Sequence, residues 1–158
     1  MTELPPAAHR VETAARELGL DIKVRIMPKS TRTAEEAAAA CGCAVGQIVK
    51  RLIFKGKQSG KLYLFLVSGV NRVNEKAIGE RFEEPIVRPD ADFVRETTGF
   101  AIGGIPPLGH AAPLDTYLDE DLLQYETVWA AAGTPNAIFS VDPAALREAA
   151  RAHIIKVT

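Results

Sequence analysis

Apolar residues first recur at helical spacing and then switch to alternation. Val11, Ala14, Ala15 and Leu18 form one stripe, which predicts a helix over about Ala7 to Leu18 that stops at Gly19. From Asp21 to Met27 the pattern has period two, with Ile22, Val24 and Ile26 on one face, and it predicts a half-solvated strand. Thr33 with Glu36 three residues on reads as a capping box for a short helix ended by Gly42. Ile48 to Phe54 and Leu62 to Val67 read as strands, and the turn Gln58-Ser59-Gly60 between them predicts an antiparallel hairpin. Leu62 to Val67 is apolar without a break, as expected of a central strand covered on both faces.

Asn74 caps a helix to about Arg81, and Pro89-Asp90 opens another that stops at Gly99. Ala112 to Tyr117 reads as a short extended piece, Asp119 to Leu123 as one helical turn, and Val128 to Ala132 and Ala137 to Val141 as strands. Asp142 followed by Pro143 marks a helix start, with the helix running to about Ala152 and a closing strand over His153 to Val157. Irregular alternation of helices and strands with a hairpin favours a mixed α/β domain over a doubly wound parallel sheet. At 158 residues the expectation is one domain over 1–158, with no repeat or linker.

Composition narrows the class. The chain is 47% apolar and 25% charged, ordinary values for a globular protein. No apolar run approaches the roughly 20 residues of a membrane span, and Met1 to Pro6 lacks the pattern of a signal peptide. A cytoplasmic protein without a membrane partner is the expectation. Cys41 and Cys43 flank Gly42, and His9, His110 and His153 show no ligand spacing, so reduced thiols and no metal are expected. The net charge of −1 argues against a general nucleic-acid or DNA binder. Its distribution is uneven. Asp21 to Lys61 holds nine Lys or Arg against three Asp or Glu, whereas Ala112 to Thr158 holds three against seven. A locally basic face could meet phosphates, and a plain solvated surface is the alternative.

The chemistry concentrates in Thr98 to His110, which carries four glycines and two prolines. Glycines allow close approach to oriented backbone amides, and prolines stiffen the loop. Backbone N–H groups of that kind stabilise an oxyanion, while a tight structural turn is the competing reading. Lys50 is the second candidate. It shares its strand face with Ile48, Leu52 and Phe54, where a charge is expensive to bury. It is either a snorkelling edge lysine or a functional one. Arg51, on the opposite face, reads as structural or as an outer RNA contact. No nucleophile elbow, Walker loop or zinc-protease motif is present.

The G-x-x-x-P core from Gly103 to Pro107, followed by Leu108-Gly109, resembles the signature loop of the YbaK-type family, relatives of the editing domain of bacterial prolyl-tRNA synthetase. Gln47 to Phe54, with Lys50 at the family's lysine position, the Ala-rich helix start at Arg32 to Ala38, and Ala131-Ala132-Gly133 agree in type and order. The resemblance covers roughly residues 20 to 158. It implies a mixed, mostly antiparallel sheet wrapped by helices, and a free-standing deacylase that hydrolyses the ester of a mischarged tRNA, chiefly proline tRNA, without a cofactor.

It also implies site residues. Lys50, Gly103 and Gly104 would be catalytic, with Lys50 on the substrate's phosphate or aminoacyl group. Ser68, Gly69, Pro107, Leu108 and Gly109 would contact substrate. From the residues alone, Thr134 in the turn Gly133-Thr134-Pro135 is a further candidate contact, with a plain turn as the competing reading. Pro106 stands where the family often has Ser or Thr, so one hydroxyl contact is missing. His110 matches no family requirement and is not expected to be the base. Met27 to Ser30 lacks the aromatic-and-histidine pattern of the cysteine-specific members, which disfavours cysteine; alanine, cysteine, serine and threonine all remain open. A partnership with prolyl-tRNA synthetase is also open. The competing functions are a non-catalytic aminoacyl, nucleotide or RNA binder, and a small-molecule hydrolase or lyase acting on an amino-acid derivative.

Overall fold

In a computed structural model of the chain, residues 4–28, 31, 33–100, 105–108, 110 and 114–158 are described. Strands and helices interleave irregularly, and the strands form two sheets rather than one. The larger is built on the hairpin of β2 (Val49–Gly56) and β3 (Leu62–Ser68), paired antiparallel from Val49↔Ser68 to Lys55↔Leu62. A short antiparallel strand, β4 (Ile86–Val87), flanks the far end of β2, while β5 (Asp115–Asp119) and β8 (His153–Ile155) extend the sheet in parallel beyond β3. The smaller sheet is antiparallel and has β7 (Ala137–Val141) between β1 (Arg25–Ile26) and β6 (Val128–Ala131). A parallel bridge, Ile48↔Trp129, joins the two.

β3 explains its own unbroken apolar run: every residue in it is buried. Leu64 and Leu66 face the main core with Val11, Leu118, Phe139 and Leu146. Tyr63, Phe65 and Val67 face a second core with Phe54, Ile78 and Ile155. Phe65 lies edge-on to Phe54 at 5.6 Å and stacks on Tyr117 at 5.5 Å between ring centroids.

Local capping sets the helix ends as expected. Thr33 Oγ1 accepts from the Glu36 N–H at 3.1 Å to start α2 (Ala34–Cys41), and Gly42 ends it in the left-handed region at φ 67°. Asn74 Oδ1 accepts from the Ala77 N–H at 3.1 Å for α3 (Glu75–Phe82). Asp142 accepts from the Ala144 N–H at 2.8 Å for α5 (Pro143–Ala150). The first helix, α1 (Pro6–Glu17), and α4 (Ala91–Thr98) end beside Gly19 and at Gly99.

Two expected elements shrink. Leu20, Ile22 and Val24 are buried in alternation, but only Arg25 and Ile26 find ladder partners on β7, and Ile26 is partly exposed. The alternation reported a buried face, whereas a strand also needs a neighbour. The piece expected from Ala112 pairs from Asp115, and its first two residues lie outside the described ones. No described helix is long and apolar enough to cross a membrane.

Candidate functional site

β2 places consecutive side chains on opposite faces, so Val49 and Ile53 enter the main core while Leu52 and Phe54 join the second. Lys50 lies on the second face, between Ile48 under α2 and the aromatic core. Its Nζ donates to the carbonyl of Asn71, in the turn after β3. Burial pulls its pKa down and Arg72 adds to the shift; Glu35 and Asp119 oppose it.

The Lys50 side chain lines a cavity of about 460 Å³ with Leu52, Phe54, Arg72, Val73, Glu75 and Arg88. Three cations face one carboxylate there, and the Arg88 guanidinium lies 5.8 Å from the centre of the Phe54 ring. Such a cavity suits an anion, with the lysine as a compact point charge and the arginines offering forked donors. A smaller slot of about 160 Å³ shares Leu52, Phe54 and Arg88 with it and reaches Ile105. Ile105 is anchored by Arg51, whose Nε donates to its carbonyl at 2.9 Å and whose Nη1 donates to the Val49 carbonyl at 3.1 Å. Burial pulls the Arg51 guanidinium down to about 10, so it is a cation at neutral pH. Arg51 thus ties the glycine-rich loop to the lysine strand, the structural alternative given by the sequence.

The other expected contacts divide. Ser68 is fully buried, and its hydroxyl donates to the Gly46 carbonyl at 2.7 Å. A Cβ on Gly69 would run into the carbonyl oxygen of Val45 and lie 3.1 Å from the Ala34 Cβ. Both residues shape the turn beneath Lys50, and neither lines its cavity. Pro107 and Leu108 are buried and line a different cavity, of about 590 Å³, with the C-terminal ends of α1 and α5 and His153. Thr134 is half-buried in the turn before β7, and its carbonyl accepts from the Ala137 N–H at 3.3 Å. Gly103, Gly104 and Gly109 lie outside the described residues.

His110 lies in the cavity of Pro107, away from Lys50. Its Nε2 is 2.7 Å from the Pro106 carbonyl, which can only accept, so this nitrogen carries the proton. Burial lowers its pKa, and the Pro106 bond opposes that. The ring closes the turn after the prolines. Cys41 and Cys43 are free, and burial, then the neighbouring Cys43, pushes the Cys41 thiol up to about 11. No group of three or more metal-ligating side chains occurs among the described residues.

Sequence reasoning missed Arg72 and Arg88, which follow the ends of β3 and β4, and the bonds of Asn71 to Asp119 at the end of β5 and Asp121 just beyond it. A cation just beyond an apolar strand was the available signal, but nothing local says that two such cations share one cavity.

A family model of the aminoacyl-tRNA editing domain matches residues 28–149. Among curated proteins, the uncharacterized protein YwhH of Bacillus subtilis is 31% identical over 119 residues, 75% of each chain. EbsC of Enterococcus faecalis, given as a candidate Cys-tRNA(Pro)/Cys-tRNA(Cys) deacylase, is 26% identical over 130 residues, 80% of this chain and 77% of its own. Among solved structures, a candidate trans-editing enzyme for prolyl-tRNA synthetase is 48% identical, with TM-score 0.92 over 99% of both chains.

Proposed function

Because this chain belongs to the aminoacyl-tRNA editing domain family, we propose that the Lys50 cavity receives the acceptor end of a mischarged proline tRNA. The protein is an aminoacyl-tRNA deacylase acting in trans. The observation that carries the site is the convergence of Lys50, Arg72 and Arg88 on one polar cavity beside the slot that reaches Ile105, the anchored residue of the glycine-rich loop. Lys50 meets a phosphate or the aminoacyl group, and the two arginines meet the neighbouring backbone.

In the reaction, water, or a hydroxyl or thiol of the substrate itself, adds to the ester carbonyl. The resulting oxyanion is stabilised by the backbone N–H groups of Gly103 and Gly104. The bond to the ribose oxygen then breaks, the ribose takes a proton, and with water as nucleophile the products are free amino acid and uncharged tRNA. A synthetase pocket separates small isosteres by only about 1–3 kcal/mol, so a second, size-limited site removes what the first admits. The likeness to a candidate trans-editing enzyme for prolyl-tRNA synthetase supports reading that synthetase as the source of the error corrected here.

The test is release of amino acid from proline tRNA charged separately with alanine, cysteine, serine, threonine and proline. Fast release of one wrong residue with prolyl-tRNA spared supports the proposal. Equal release of proline, or release from none of the five by folded protein, overturns it.

A further inference from the structure

The turn after β3 is held by more than its backbone. The Asn71 N–H donates to the Ser68 carbonyl at 2.9 Å. The Asn71 side-chain amide donates to two carboxylates, Asp119 Oδ2 at 2.8 Å and Asp121 Oδ2 at 2.7 Å. Asp119 is 1% exposed; its Oδ2 also accepts from the Ser68 N–H at 3.0 Å, and its Oδ1 accepts from the Asp121 N–H at 3.0 Å. The last bond caps the 3-10 turn Glu120–Gln124. Capping leaves Oδ2 unexplained. That oxygen reaches back some 50 residues to the segment whose carbonyl takes the Lys50 ammonium.

We propose that Asn71, gripped by Asp119 and Asp121, is a positioning residue that fixes the Lys50 ammonium at the wall of the substrate cavity. The inference rests on the reading of Lys50 as a substrate-contacting group. A lysine side chain loses much rotamer freedom when it engages a ligand, and holding it beforehand removes that cost from binding. An ammonium has three donors, so one bond to Asn71 leaves two for substrate. Position matters here because Arg72 repels Lys50 while Glu35 on α2 and Asp119 attract it, with Glu75 and Arg88 on the same cavity. A lysine whose acceptor is no longer held in place would redistribute among these charges.

The test is a double-mutant cycle of Asn71→Ala and Lys50→Ala, read as single-turnover deacylation of mischarged proline tRNA. Asn71→Ala should slow the reaction about tenfold where Lys50 is present and by less than about twofold where it is absent. Equal losses in both backgrounds would mean a general structural role and overturn the inference. A failure of the functional reading looks different, because Lys50→Ala alone would then be as fast as wild type or no variant would turn over. The second readout needs no turnover: competitive acetylation of the Lys50 amine across pH in wild type, Asn71→Ala and the isosteric Asp119→Asn. Asn71→Ala keeps the main-chain carbonyl but frees it from its carboxylate grip, and Asp119→Asn removes a nearby negative charge, so Lys50 should titrate at lower pH in both variants. Because Asp119 also attracts Lys50 directly, Asn71→Ala decides: an unchanged Lys50 titration in that variant overturns the inference whatever the protein hydrolyses.

Discussion

Replacing Gly69 by alanine separates the role of a close approach from that of a substrate contact. At a backbone compatible with L-residues, Gly→Ala stabilises by about 0.4–1 kcal/mol through the unfolded chain. Gly69 is not among the glycines of positive φ, so that gain applies in principle. Space decides against it: the added methyl collides with the Val45 carbonyl oxygen and presses on the Val45 carbonyl carbon at 3.2 Å. The obstacle is backbone, in the 3-10 turn Val45–Gln47, where a bond from the Ser68 hydroxyl also lands on Gly46. Overpacking of this kind costs about 1–3 kcal/mol, so the net expectation is a loss of about 1–2 kcal/mol. Urea unfolding of wild type and Gly69→Ala, compared at equal m-values, measures it. Gly42→Ala is the control. There nothing lies within 4 Å of the added methyl, and the cost is that of a left-handed residue, about 1 kcal/mol. Asparagine, which tolerates that region, should recover much of the loss at Gly42 and none at Gly69. A Gly69→Ala protein as stable as wild type would refute the reasoning.

Arg51→Met leaves the Ile105 and Val49 carbonyls without those donors and should cost about 2 kcal/mol in urea unfolding. It should also lower activity, because the loop loses its anchor. His110 has a folded pKa below its unfolded value near 6.5, so the unfolded chain binds the extra proton. Stability should be full above the unfolded value and fall as pH drops through the folded one; His110→Gln should flatten that part of a thermal-stability profile. Cys41, pushed up to about 11 from an ordinary 9.0, has about a hundredfold less thiolate near neutrality. The higher nucleophilicity of a more basic thiolate returns part of this, so alkylation should be about tenfold slower than for a free thiol.

What was legible in the sequence was local or periodic. The caps at Thr33, Asn74 and Asp142 form within three residues of their targets, and all three form as read. The covered strand β3 was legible because an unbroken apolar run has no other stable place. Asp21 to Met27 shows the limit, since period two reports a buried face and not a hydrogen-bonded partner. Lys50 stood out as a charge on an apolar face, and the structure gives it an acceptor and a cavity. The rest of the site was not legible, because its members meet only through tertiary contacts. Arg72 and Arg88 converge from different connections. Asn71 finds its carboxylates 48 and 50 residues away. Ser68 and Gly69 were read as lining the pocket because they follow the central strand; Ser68 is fully buried, Gly69 closely approaches Val45, and neither lines the Lys50 cavity.

The central claim is that Lys50 acts on the aminoacylated end of tRNA, and the most direct measurement is single-turnover deacylation by wild type and Lys50→Met under enzyme excess. A charge-assisted contact is worth about 1.5–3 kcal/mol, so the account predicts a slowing of about 10- to 100-fold with unfolding behaviour little changed. A Lys50→Met protein that deacylates within twofold of wild type would contradict it and move the chemistry away from this cavity.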